Sequence, residues 1–167
     1  MECNTSGIRT KRTSDDKTYR YIYAGDKLMR MTVGDDILDF SYDANGTPLT
    51  MTCNGTVYYY ITNLQGDVMS LERADGGSGA QYAYDAWGNI IAMSGTLAEL
   101  NPLRYRGYVY DQETGFYYVS SRYYDPEVGR WINADSFATT GEGVLSCNMF
   151  AYCYNDPVNK GDSDGHE

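Results

Sequence analysis

Residues 104–135 read RYRGYVYDQETGFYYVSSRYYDPEVGRWINAD, and this stretch decides the fold. It holds Tyr110-Asp111 four residues before Gly115, then Tyr117-Tyr118, then Arg122-Tyr123-Tyr124-Asp125-Pro126 closing on Gly129-Arg130. Tyrosines stand in alternating or paired positions, and each group ends in a step from Asp to Gly. Aromatic alternation suits a pleated, half-buried strand, and Asp followed by Gly punctuates a reversal. The stretch therefore predicts β-hairpins.

The rest of the chain repeats that grammar. Turn glycines recur at Gly7, Gly25, Gly46, Gly66 and Gly88, in steps of 18, 21, 20 and 22 residues. One hairpin fits each period, and hairpins that are marginal alone gain stability by adding to neighbours. The clearest unit runs Asp39-Phe40-Ser41-Tyr42 into the turn Asp43–Gly46 and resumes as Thr47-Pro48-Leu49-Thr50-Met51-Thr52. Further turns are predicted at Asn63–Gly66, Asp85–Gly88 and Gln112–Gly115, with a flexible reversal at Gly76-Gly77-Ser78-Gly79. Thr96–Leu100 fits one helical turn, stopped by Asn101-Pro102. Beyond Asp135 the alternation fades, and a short helix is predicted across Cys147 to Tyr152.

Among 167 residues there are 18 Tyr, 18 Gly, 4 Phe and 4 Pro. A tyrosine ring buries a large area but keeps a hydroxyl that needs a partner, so this composition suits a thin sheet with one wet face. The net charge of -10 disfavours nucleic acid as a partner, since phosphate binding rests on clustered Lys and Arg. No apolar run is long enough for a membrane helix, and the polar N-terminus lacks the features of a signal peptide. Cys3, Cys53, Cys147 and Cys153 form no CxxC pair, and the one histidine is His166, so neither a zinc site nor another metal or cofactor is expected. Reduced thiols are the default. Arg104, Arg106, Arg122 and Arg130 are read as cation–π and carboxylate partners, with Trp131 beside Arg130, and Trp87 as a lid on its own hairpin.

These residues resemble the C-terminal end of the Rhs/YD-repeat family, which includes bacterial toxin shells, the teneurin YD-shell and wall-associated toxins. The YD units are Tyr42-Asp43-Ala44-Asn45-Gly46 and Tyr84-Asp85-Ala86-Trp87-Gly88-Asn89. The associated core resembles residues 104–135, followed by NMFAYCYNDPVN at 148–159. The resemblance implies an all-β fold, in which repeated antiparallel hairpins form a curved strip with a small irregular or short-helical C-terminal core. The division implied is hairpins over 1–103 and associated core over 104–167. It also implies a shell that encloses a C-terminal toxin domain, in a protein secreted or held at the cell surface.

Many members of the family cut themselves with a pair of aspartates, and the matching positions here are Asp135 and Asp162. Ser136 and Ser163 stand where that motif commonly has proline, and Lys160-Gly161 where bulkier residues are common. Two carboxylates brought together share a proton, leaving one as base and one as acid. Read as residues alone, both aspartates are equally turn or cap formers. Three functions follow as expectations: a structural shell fragment, a single-turnover self-cleaving core, or a surface module that stacks carbohydrate or protein on its aromatic face. Partners expected are the remainder of the shell and its toxin. An open strand edge near the N-terminus, where CNTSGIRT reads as a unit lacking its first strand, invites self-association.

Overall fold

The computed structural model describes residues 2–133, apart from 6, 15 and 121, together with residues 150–162. Ten strands follow one another in chain order across a single antiparallel sheet: β1 (Glu2–Cys3), β2 (Arg9–Ser14), β3 (Lys17–Ala24), β4 (Lys27–Val33), β5 (Asp36–Tyr42), β6 (Pro48–Cys53), β7 (Thr56–Thr62), β8 (Val68–Glu72), β9 (Ser78–Tyr84) and β10 (Ile90–Ser94). A second antiparallel sheet holds β11 (Val109–Asp111), β12 (Phe116–Val119), β13 (Arg122–Asp125) and β14 (Arg130–Trp131). The fold is all-β, the two sheets are not closed, and within each sheet every strand neighbours its predecessor in sequence.

Turn chemistry sets this order. In the loops 43–47, 63–67 and 85–89 the first residue is Asp or Asn, and its side-chain oxygen accepts from two backbone N–H groups. Asp43 accepts from Asn45 and Thr47 at 2.8 and 2.9 Å, and Asp85 from Trp87 and Asn89 at 2.8 and 2.9 Å. The glycine at the fourth position closes the loop at positive φ, which a Cβ makes costly (Gly46 +81°, Gly88 +90°). Opposite ends of the strands use two-residue turns such as Asn54-Gly55, both at positive φ, matching the twist of the strands they join.

Three expectations change. The reversal placed at 76–79 lies at 73–77, where Asp75 accepts from Gly77 at 3.0 Å, and β9 already runs from Ser78. Gly79 is thus a strand residue, and its missing side chain leaves room for the Tyr58 ring, which an added Cβ would meet at 2.8 Å. The unit at the N-terminus does have a first strand among the described residues, because Glu2 and Cys3 pair with Lys11 and Arg9. Thr96–Leu100 forms turns, with the Asn101 N–H donating to the Leu97 carbonyl at 2.8 Å. The helix expected over 147–152 lies partly outside the described residues; Ala151 instead bridges to Arg130, and a short 3-10 turn spans Cys153–Asn155.

Alternation sends Leu28, Leu38, Phe40, Met51, Tyr60 and Leu71 to one face of the strip, where all are buried. The second sheet and the loop before it cover that face through Leu103, Val109 and Tyr118. At one end the join is ionic. Arg9 and Asp111 are 1% and 2% exposed and form a two-armed ion pair, with the Arg9 Nη2 donating to Asp111 Oδ1 at 2.9 Å. The guanidinium lies 4.6 Å from the Tyr21 ring centre and 4.5 Å from that of Tyr118, and the Arg9 N–H donates to the Tyr118 hydroxyl at 2.9 Å. Burial opposes charge on Arg9, but the bond to Asp111 and its negative charge outweigh it, and the pKa moves up. Arg12 extends the seam by bonding Glu113 at 2.5 Å.

Tyrosine hydroxyls make the other join. Tyr105, Tyr124 and Tyr117 donate to the successive turn carbonyls of Ala86, Trp87 and Gly88 at 2.9, 2.7 and 2.9 Å. Within the strip, Tyr82 reaches the Ala98 carbonyl and Tyr60 the Asn101 side chain, at 2.8 and 2.7 Å. Phenylalanine in place of Tyr105, Tyr117 or Tyr124 would fill the site equally well but leave its turn carbonyl without that donor, at a cost of about 1–3 kcal/mol.

Gly46 and Gly88 share a positive φ but differ in surroundings. A Cβ on Gly46 meets only the flexible end of Lys27 at 3.0 Å, whereas one on Gly88 meets the buried Tyr105 ring at 2.6 Å. Urea unfolding is expected to show a loss of about 1 kcal/mol for Gly46→Ala and about 3 kcal/mol for Gly88→Ala. Equal losses would contradict the packing of the second sheet on that turn.

Candidate functional site

Asp162 sits at the end of the segment 150–162, which returns to the second sheet through a bridge between Arg130 and Ala151. Its residue is 1% exposed. The Tyr108 hydroxyl donates to the Asp162 carbonyl and lies 3.3 Å from the Tyr152 hydroxyl. Behind them stands an aromatic cluster of Tyr105, Tyr117, Tyr124 and Trp131, with Tyr124 and Tyr152 ring centres 4.1 Å apart. Asp135, the other aspartate expected at this site, lies outside the described residues, as do Cys147 and residues 163–167. One member of the expected pair is therefore found buried in the core.

Upstream of Asp162 the segment is fastened from two directions. Arg106 sits in a tight turn at φ +56°, and its backbone N–H donates to Asp67 Oδ1 at 3.1 Å. Its guanidinium reaches the carbonyls of Gln65, Pro157 and Lys160, while the Gln65 amide donates to the Val158 carbonyl at 2.7 Å. A groove of about 190 Å³ opens beside it between the strip and the second sheet, lined by Tyr23, Leu28, Tyr42, Arg106, Tyr108 and Tyr118.

Three of the four arginines expected to pair with aromatic rings do so, and Arg130 does not. Arg104 lies 4.3 Å from the Tyr110 ring centre and Arg106 lies 5.4 Å from that of Tyr105. Arg122 covers Trp131 at 4.0 Å; Arg130 points outward, because neighbours along a strand face opposite sides. Trp87 lids the second sheet as well as its own turn, packing where a Cβ on Gly129 would stand 2.7 Å from its ring. Sequence reasoning missed Arg9, Gln65 and Tyr108, whose partners lie tens of residues away in the chain. No cluster of three or more metal-ligating side chains occurs among the described residues. Cys3 is exposed and Cys53 buried, both outside any disulfide.

Chemically, the site offers a carboxyl group on a residue removed from solvent, beside tyrosines whose pKa values are raised. Burial drives the Tyr108 pKa up, the bond with Tyr152 opposes this, and the Asp162 charge adds to the rise. Tyr152 is raised by burial and then by Tyr108. A phenol whose folded pKa exceeds its unfolded value near 10 stabilises the fold below that value and loses the contribution as pH climbs through the folded pKa. Tyr19, at the rim, is pushed up to about 12 by burial and its bond to Glu113. An alkaline titration is expected to show phenolate absorbance from the core tyrosines rising in one step with loss of β-sheet circular dichroism. A smooth titration of all tyrosines near pH 10 with the fold intact would contradict the buried network.

Comparison with known proteins places this arrangement. The family model described as Teneurin YD-shell matches residues 8–158. The tRNA3(Ser)-specific nuclease WapA of Bacillus spizizenii is 36% identical over 165 residues, covering 96% of this chain and 7% of that protein. Toxin protein Tse5 of Pseudomonas aeruginosa is 28% identical over 123 residues, covering 71% of this chain and 9% of that one. A chain of the TcdB2-TccC3-Cdc42 crystal structure superposes with a TM-score of 0.75 at 24% identity, over 96% of this chain and 8% of that one. One from the Photorhabdus luminescens Tc holotoxin pore gives 0.77 at 22% identity, over 97% and 8%. The chain spans less than a tenth of each of these relatives.

Proposed function

The chain belongs to the teneurin YD-shell family, and from that membership we propose that it is the terminal segment of a larger shell that encloses and presents a toxin domain. The observation that carries this reading is the open ten-stranded strip with its own second sheet seated on one face. An open strip continues at its edges, and β1 is only two residues long, so β2 offers backbone groups for a further hairpin or a second copy. The seated sheet acts as an end-plug. The division follows the two parts, with repeat hairpins over 1–103 and associated core over 104–167. Its partners are then the remaining repeats and a toxin, and its setting is secretion or the cell surface as part of that larger protein. WapA and Tse5 are a nuclease and a toxin by name, which supports this class of cargo.

A second reading is favoured by the burial of Asp162: the core cuts its own chain once. If Asp135 and Asp162 converge, one carboxylate takes a proton from water as the water oxygen adds to the peptide carbonyl. The other carboxyl protonates the departing amide nitrogen, the C–N bond breaks, and a carboxylic acid and an amine remain. The scissile bond then lies just after Asp162-Ser163-Asp164-Gly165.

One experiment tests both readings. A reporter domain is fused after Glu167, with enough upstream repeats to complete a shell. The plug reading expects the reporter to resist added protease, and to become sensitive when residues 104–162 are deleted; equal sensitivity of both would overturn it. The self-cleavage reading expects the reporter to part covalently from the shell, and Asp135→Asn and Asp162→Asn each to stop this. Cleavage that survives both substitutions, or never occurs in the parent, would overturn it.

A further inference from the structure

The segment leading to Asp162 is held by its carbonyl oxygens. Arg106 Nη2 donates to the carbonyls of Pro157 and Lys160, the latter at 3.2 Å. The Gln65 amide takes Val158 at 2.7 Å, and the Tyr108 hydroxyl takes Asp162. Four carbonyls within six residues are thus satisfied by three side chains from outside the segment. The guanidinium is itself oriented: Nη1 donates to the Gln65 carbonyl at 3.1 Å, and Nε lies 3.6 Å from Asp67 Oδ1. A planar fork of five donors suits this task, since it serves several carbonyls from one position.

The segment's own side chains face elsewhere. Val158 is 56% exposed. Asn159 bonds Asp156 at 3.1 Å, and the Lys160 ammonium lies 4.3 Å from the Tyr154 ring centre, both within the segment. Among the described residues, no hydrogen bond or ion pair from outside the segment reaches the side chains at 158–160.

We propose that Arg106, Gln65 and Tyr108 form a backbone-reading clamp, a binding surface for a peptide turn recognised by the placement of its carbonyls and occupied here by residues 157–162, whose turn is closed by the Lys160 N–H donating to the Asp156 carbonyl at 3.1 Å. Such a clamp fixes Asp162 whatever side chains stand at 158–160, and it retains the segment if the chain is cut beyond it. Whether the chain cuts itself does not enter, so this inference stands apart from the self-cleavage reading.

Hydrogen exchange of residues 156–162 in the full chain tests it. Arg106→Gly is the informative variant, because φ +56° suits glycine and the backbone is not strained when the guanidinium goes. It is expected to speed exchange in the segment about tenfold or more, and Gln65→Ala about threefold, with β6 and β7 unchanged. Val158→Ser and Lys160→Ala are expected to stay within about twofold of the parent. Exchange within twofold for Arg106→Gly, or Lys160→Ala opening the segment as far as Arg106→Gly does, would overturn the clamp. If Arg106→Gly also loosens β6 and β7, then Gln65→Ala and Tyr108→Phe decide by the same criterion, since the latter removes a single hydroxyl.

Discussion

The buried ion pair of Arg9 and Asp111 is the constraint on which the two-sheet arrangement rests. A guanidinium and a carboxylate taken out of water are stable only when paired in good geometry and otherwise satisfied, and removing one partner strands the other. Here the pair joins the second strand of the strip to the turn end of β11, with Tyr21 and Tyr118 against the cation. Asp111 also anchors its own hairpin, its carbonyl accepting from Gly115 at 2.8 Å. The charge pair therefore fixes where the second sheet lands as well as how its first turn is closed.

At the opposite end, side-chain bonds to backbone carbonyls do the same work. Three tyrosine hydroxyls cap the carbonyls of residues 86–88, and Tyr108 with Arg106 caps those of the returning segment. A thin strip with little leucine cannot rely on apolar area alone. It combines ring burial with hydroxyl-to-backbone bonds, and this explains 18 tyrosines beside 4 phenylalanines. Backbone capture also tolerates change in the captured loop, provided its conformation holds.

Local structure was legible in the sequence because its causes are local. Asp43, Asn63 and Asp85 announce their turns by side chains that bond backbone two and four residues on, and the alternating tyrosines announce the strands between. Gly79 misled because a glycine that makes room for Tyr58 looks in sequence like a glycine that makes a turn. Stacking of the two sheets was not legible: Arg9 and Asp111 are 102 residues apart, and nothing near Arg9 distinguishes it from a solvated strand arginine. Of the site, Asp135 and Asp162 came from family resemblance alone. The burial of Asp162 depends on Tyr108 and on the path of the segment, which no residue pattern encodes.

A double-mutant cycle on Arg9→Met and Asp111→Leu, followed by denaturant unfolding, tests the central claim that this pair holds the second sheet on the strip. Each single change should cost about 3 kcal/mol or more, because it leaves an uncompensated buried charge. The double change should cost far less than the sum, giving a coupling energy of about 2 kcal/mol or above. Additive losses, with coupling below about 0.5 kcal/mol, would contradict the claim.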